Sequence, residues 1–156
     1  MIEIIENFVD EDFEKAIISM AKKAPKNTVK GRSKIMRWGS DIYRDKDNLS
    51  LQIPEIFLPL KDKILFNNAQ INQYNVGDYA QWHIDDPKMG ETIHIISLLS
   101  DCKIRFRKDD TDLLIEEHTL PRFSYMKFYG EKRWKWKHSV FADKPRYSVV
   151  LRNMTL

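Results

Sequence analysis

From residue 69 onward, apolar and polar positions alternate in short runs bounded by turn residues: 69–74, 79–84, 93–99, 103–107, 113–117, 123–129, 134–138 and 147–153. A period of two sends successive side chains to opposite faces of an extended chain, so each run predicts a strand with one face on a core. Eight short strands at roughly 8–12-residue spacing predict an antiparallel sandwich or jelly roll rather than a parallel sheet. The earlier part of the chain has another texture. Ile2 to Phe8 alternates weakly, and Asp10 is placed to cap a helix over about 10–23, with an acidic first turn and Phe13, Ala16, Ile17 and Met20 at helical spacing. Residues 24–40 are basic and polar with Gly31 and Gly39 as breakers, which predicts a loop and a short strand around 35–38. Pro54 and Pro59 within 51–63 predict a short helix or turn leading into the main body.

The expected fold class is therefore mainly β with an N-terminal α element. At 156 residues the chain fits one domain, 1–156, with 1–68 as an N-terminal helical and substrate-lid region and 69–156 as the jelly-roll core. A composition 42% hydrophobic and 31% charged is globular, and the longest apolar runs are too short and polar to cross a bilayer. The N-terminus shows no basic region or small-residue cleavage site, and Cys102 has no second cysteine to pair with, so a cytoplasmic, monomeric protein is expected. A net charge of +3 permits an anionic partner without demanding one.

Chemistry concentrates in three places. Trp82-His83-Ile84-Asp85 is followed, after a long gap, by His138. Residues two apart on an extended chain point the same way, so His83 and Asp85 could bind one metal from one face, with His138 arriving from a distant strand. Two imidazoles and a carboxylate on one face of an octahedron leave three positions open, which suits non-haem Fe(II). The pair alone is a weak signal: with His83, His94, His118 and His138 present, some His-x-Asp spacing arises by chance, and surface or core histidines are the alternative.

Arg146 and Arg152 lie six apart on the last predicted strand, sharing a face with Ser148 and Val150, while Tyr147, Val149 and Leu151 take the other. Guanidinium groups inside a sandwich need anionic partners, and a dicarboxylate bound at a metal supplies them. The alternative is an edge strand with solvated or internally paired arginines. Asn72 and Tyr74 share a face of the strand that turns at Gly77-Asp78 into the His83 strand, so amide and phenol can reach the same ligand; Tyr74 as an ordinary core aromatic is the alternative.

In this order, Asn-x-Tyr, His-x-Asp, a downstream His and Arg-x5-Arg, the chain resembles the AlkB-like branch of the Fe(II)/2-oxoglutarate dioxygenases. The likeness runs from about Ile71 to Asn153, includes Ile95-Ile96-Ser97-Leu98, and extends faintly to Asn7-Phe8-Val9-Asp10 and Arg37-Trp38-Gly39. The resemblance implies a double-stranded β-helix core, Fe(II) on His83, Asp85 and His138, and 2-oxoglutarate and O2 as co-substrates. It places Arg146 and Tyr74 on the distal carboxylate of 2-oxoglutarate, with Arg152 and Asn72 at the metal-proximal end. It also implies oxidative hydroxylation or demethylation of a nucleic-acid base, with methylated DNA or RNA as partner. Relatives that repair alkylated bases usually carry an acid two positions past the metal aspartate, where this chain has Pro87.

Lys132 to Lys137 alternates basic and aromatic residues, and Trp38, Trp82, Arg37 and Trp136 are candidate substrate contacts through stacking and phosphate pairing. The plainer expectation has Trp134 and Trp136 filling the core on the His138 face with the lysines solvated outside. Lys103, Arg105 and Arg107 share a face and form either a basic rim or a soluble edge. A hydroxylase of a protein side chain or small metabolite is the alternative function, and a non-catalytic β-sandwich binding module is the third.

Overall fold

The computed structural model describes residues 1–23, 31–32, 34–42, 52–110 and 114–155. Among them ten strands build two antiparallel sheets. The larger sheet has the order β1 (Ile2–Ile5), β8 (Tyr125–Phe128), β5 (Ile93–Leu98), β10 (Arg146–Arg152), β3 (Asn68–Tyr74) and β2 (Lys34–Gly39). The smaller has the order β4 (Tyr79–His83), β9 (Lys137–Phe141), β6 (Cys102–Arg107) and β7 (Ile115–Leu120). This is the jelly-roll core expected from the alternation, and the loop expected over 24–30 lies outside the described residues. The first 68 residues do more than cover the barrel, because β1 and β2 are the two edge strands of the larger sheet, paired with β8 and β3.

Burial follows strand position. In β6, Cys102, Ile104 and Phe106 point inward while Lys103 and Arg105 are exposed, the one-sided pattern of a sheet whose outer face meets water. The central strands β5 and β10 are buried along their whole length, since each of their faces is covered. Between the sheets, Ile93, Ile95, Met126, Phe128 and Val150 meet Ala80, Ile104, Phe106, Leu120 and Val140. On the other side of the larger sheet, Ile96, Leu98, Val149 and Leu151 pack beneath Ile17 and Ala21 of helix α1 (Glu11–Lys23) and beneath Phe57 and Leu60 of the 3-10 segment Glu55–Asp62.

Helix α1 starts where Asp10 accepts a hydrogen bond from the Phe13 amide at 2.9 Å, and its acidic first turn and basic last turn suit the helix dipole. It is tied down by a charge. Glu14, buried, accepts from the Leu99 amide at 2.7 Å and from Arg122 Nε at 2.9 Å.

The expectation over 134–138 is corrected. Glu131–Trp134 forms a short helix, α2, after Gly130 turns the chain at φ +62°, and β9 starts only at Lys137. Part of the side-chain pattern reverses with it. Trp134 is 42% exposed, whereas Lys132 and Arg133 are buried. Lys132 reaches Glu116 at 2.7 Å and lies over the Trp136 ring, which packs on the inter-sheet core.

Candidate functional site

The site lies between the sheets, where β4, β9, β3 and β10 approach one another. Strand β4 pairs with β9 through Ala80↔Val140 and His83↔His138, with a register shift between them. That bulge rotates the chain so that His83, like Ala80, faces inward despite their odd spacing. Asp85 follows in the extended segment after β4, and His138 comes from β9. The three ligand atoms lie within 4.8 Å of one another. Asp85 Oδ1 stands 3.1 Å from His83 Nε2 and 3.6 Å from His138 Nε2.

Each donor is prepared by its surroundings. His83 Nδ1 lies 2.6 Å from the Gln81 carbonyl; with the proton on Nδ1, the Nε2 lone pair is left for a metal. His138 is walled by Phe106 and Phe128, and burial, with help from nearby positive charges, pushes its imidazole down to about 3, so it stays neutral. Burial pushes the Asp85 carboxyl up, but the Arg152 guanidinium, with the two imidazoles beside it, prevails and holds it well below the usual carboxylate range. Arg152 Nε donates to Asp85 Oδ2 at 2.9 Å, leaving Oδ1 facing the histidines. The triad is asymmetric: the His83 side chain is 38% exposed, those of Asp85 and His138 nearly covered.

Beside the triad runs a cavity lined by Arg32, Gln70, Asn72, Tyr74, Arg146 and Arg152, with His83 and His138 also in its lining. It brings the expected Asn72, Tyr74, Arg146 and Arg152 together, through the register Arg146↔Tyr74, Ser148↔Asn72 and Arg152↔Asn68. Asn72 donates to Ser148 Oγ at 3.2 Å, and Gln70 Oε1 accepts from Arg152 at 3.0 Å and from Arg37 at 3.2 Å. Arg37 therefore reaches the cavity wall through Gln70, and it also lies 4.0 Å from Asp41.

The aromatic candidates lie elsewhere. Trp38 pairs in register with Ala69, which faces the outer core, and its ring packs 5.8 Å from Phe57, so it is not among the residues that line the cavity. Trp82 is not among the cavity residues: its ring takes the Arg107 and Arg105 guanidiniums at 4.4 and 5.7 Å, on the outward side of the smaller sheet. Trp136 rests on the inter-sheet core under Lys132, not in the cavity.

Sequence reasoning missed three residues. Gln70 was readable as the next residue on the Asn72 and Tyr74 face. Arg32 belongs to a stretch with no periodicity to orient it. Arg133, 1% exposed, lies just ahead of the strand expected over 134–138, in a stretch read only as alternating basic and aromatic residues. Its guanidinium donates to the carbonyls of Asp85, Asp86 and Gly90 at 3.0, 2.8 and 2.9 Å. Gly90 suits the role because it holds φ +94° and because any Cβ there would lie 2.5 Å from the Asn153 carbonyl oxygen. Arg133 thus ties the segment carrying Asp85 to α2, just ahead of His138.

Fold and site together define a jelly-roll protein that gathers two imidazoles and a carboxylate beside a cationic cavity. The family model described as the 2OG-Fe(II) oxygenase superfamily matches residues 10–154, and the chain belongs to that superfamily. It is an Fe(II)- and 2-oxoglutarate-dependent dioxygenase, an oxidoreductase that uses Fe(II), 2-oxoglutarate and O2. No curated protein sequence matches it. Among solved structures its fold is similar to that described as the structure of OsALKBH1, an AlkB homologue, at a TM-score of 0.72 and 15% identity over 97% of each chain.

The cavity fits the keto-acid on chemical grounds. Its lining holds no acidic side chain, and among the described residues Nη2 of Arg146 is buried without a hydrogen-bond partner. Among the described residues no helix is long and apolar enough to cross a membrane.

Proposed function

We propose that the enzyme hydroxylates a carbon on a nucleic-acid base, and that where this carbon is an N-methyl group the hydroxymethyl product releases formaldehyde and leaves the demethylated base. The observation that carries the oxygenase site is the convergence of His83 Nε2, Asp85 Oδ1 and His138 Nε2 beside the arginine-lined cavity. In this reading those three atoms hold Fe(II). Bound, the metal supplies the oxidative chemistry in which O2 and 2-oxoglutarate yield succinate, CO2 and one oxygen atom for a substrate C–H bond. Arg146 and Tyr74 bind the distal carboxylate of the keto-acid, and Arg152 and Asn72 its metal-proximal end, while Arg152 also orients Asp85. Phe106, Phe128 and Val140 exclude water from the His138 side, so access is from the His83 side.

Support for a nucleic-acid substrate comes from the ordered AlkB-like motifs, from the similarity in fold to OsALKBH1, and from Trp82 with Arg105 and Arg107 at the outward face next to the His83 strand. An aromatic ring flanked by guanidiniums suits a stacked base and its phosphate. A second reading, hydroxylation of a protein side chain or small metabolite, is favoured by Pro87 and Asp86. Pro87 offers no acid for a base amine, and the Asp86 carboxylate is engaged in accepting from the Lys88 amide at 2.9 Å. The test is succinate and formaldehyde formation across methylated single-stranded DNA and RNA oligonucleotides, with His83→Ala as blank. Formaldehyde that depends on the methyl mark supports the base reading; substrate-stimulated succinate only with peptides or metabolites replaces it with the second.

A further inference from the structure

Arg32 is the feature of the cavity that the motifs do not account for. The cavity carries three guanidinium groups and no carboxylate: Arg152 is matched by Asp85, which leaves Arg32 and Arg146. Arg146 is 2% exposed, its Nε makes only a long 3.4 Å contact with Ser97 Oγ, and its carbon centre sits 5.3 Å from the Tyr74 ring. Among the described residues Nε of Arg32 and Nη2 of Arg146 are both buried with no hydrogen-bond partner. Arg32 also makes a long contact, Nη1 to Asn72 Oδ1 at 3.4 Å, which places its guanidinium over the β3 stretch that ends at Tyr74. Arg146 is buried and Arg32 half-buried; two cations sharing one cavity repel each other and lose hydration, so an anion between them is stabilising.

The backbone holds Arg32 in place. The Tyr79 amide donates to the Gly31 carbonyl at 2.6 Å, and Gly31 adopts φ +88°, with the position of a Cβ only 2.4 Å from the Tyr79 carbonyl oxygen. Only glycine comes this close to the first residue of β4. The next residue is thereby set beside the start of β4, at the opposite end of that strand from His83, and its guanidinium reaches Asn72, two residues along β3 from Tyr74, the register partner of Arg146.

We propose that Arg32 and Arg146 together clasp the distal carboxylate of 2-oxoglutarate, making Arg32 a co-substrate-binding residue that selects a dicarboxylic keto-acid; this rests on the placement of the keto-acid given above. One carboxylate has lone pairs enough for donors from both guanidiniums, and its charge relieves their mutual repulsion. The assignment explains in one step why both arginines carry an unsatisfied buried nitrogen.

The test is binding, without turnover. The Mn(II)-loaded protein is titrated calorimetrically in the absence of O2 with 2-oxoglutarate and with 2-oxopentanoate, which has the same carbon chain but no distal carboxylate. The proteins are wild type, Arg32→Met, Arg32→Lys and Arg146→Met. Wild type should prefer 2-oxoglutarate; Arg32→Met should lose about 10- to 100-fold in affinity for it, the size of one or two charge-assisted hydrogen bonds, and keep its affinity for 2-oxopentanoate within about threefold. Arg32→Lys should recover part of the loss. Equal losses for both ligands in both Arg32 variants, or 2-oxoglutarate binding within about twofold of wild type, would overturn the clasp and leave the keto-acid site standing. Wild type that binds both keto-acids equally, or neither, would overturn the keto-acid placement itself and the clasp with it.

Discussion

Replacing Arg133 with methionine is the sharpest test of how the site is held together. Methionine keeps most of the apolar stem and removes the guanidinium, so the carbonyls of Asp85, Asp86 and Gly90 lose their donors. Residue 86 is exposed and its carbonyl can turn to water, while residues 85 and 90 are buried. Two buried charge-assisted hydrogen bonds at about 1.5–3 kcal/mol each give a gross loss of about 3–6 kcal/mol. Part returns because a cation that burial disfavours, as the lowered pKa of Arg133 shows, no longer has to be dehydrated. A net loss of about 3 kcal/mol is expected, a large share of the roughly 5–15 kcal/mol typical of a domain. Urea denaturation of the metal-free protein reads this as a lower midpoint at unchanged slope. Arg133→Lys should lie between, since a lysine can reach one carbonyl or two but not all three. Affinity for Mn(II) should fall as well, by about 10-fold or more, because Asp85 is no longer tethered to the segment before His138. A midpoint corresponding to less than about 1 kcal/mol of destabilisation, with Mn(II) affinity intact, would refute the view that this arginine braces the metal-binding segment.

Asp85→Asn and His138→Ala should each weaken Mn(II) binding by about 100-fold or more, read by calorimetry, and abolish succinate formation; retention of tight binding would remove the triad as the metal site. His94, which contacts the Tyr125 hydroxyl at 2.7 Å, is held by burial at about 4, below its ordinary 6.5. Between those values the unfolded chain takes up the proton and the folded one does not, so stability is intact above pH 6.5 and falls as pH drops toward 4, by at most about 1.4 kcal/mol per pH unit from this residue. His94→Gln should flatten that part of a melting temperature profile against pH, and an unchanged slope would count against the assignment. Glu14→Ala removes the acceptor for Leu99 and Arg122 and should cost about 2 kcal/mol in denaturant unfolding, with Arg122→Ala nearly silent once Glu14 is gone. Independent, additive losses from the two substitutions would show that the pair does not act as one.

Strand identity and strand faces were legible in the chain itself, because a period of two is a local property. The Cys102–Arg107 alternation, the split of 146–152 into an arginine face and an apolar face, and the two-apart His83 and Asp85 all needed only neighbours to be read. The helix capped by Asp10 was readable for the same reason. Tertiary structure decided whatever depended on which surface a face met. Lysine and arginine at 132 and 133 look solvated in sequence, yet α2 turns them inward, where carbonyls of the Asp85 segment and Glu116 satisfy them. Trp38 has the composition of a substrate contact, but the β2–β3 register sends it to the opposite core. Arg32 joins the cavity only because Gly31 is fastened to Tyr79, nearly fifty residues on, a long-range contact that no local pattern encodes. Periodicity specifies direction within an element; the partner each direction finds is set by packing between elements, and at this site those partners decide which charges are buried and what they bind.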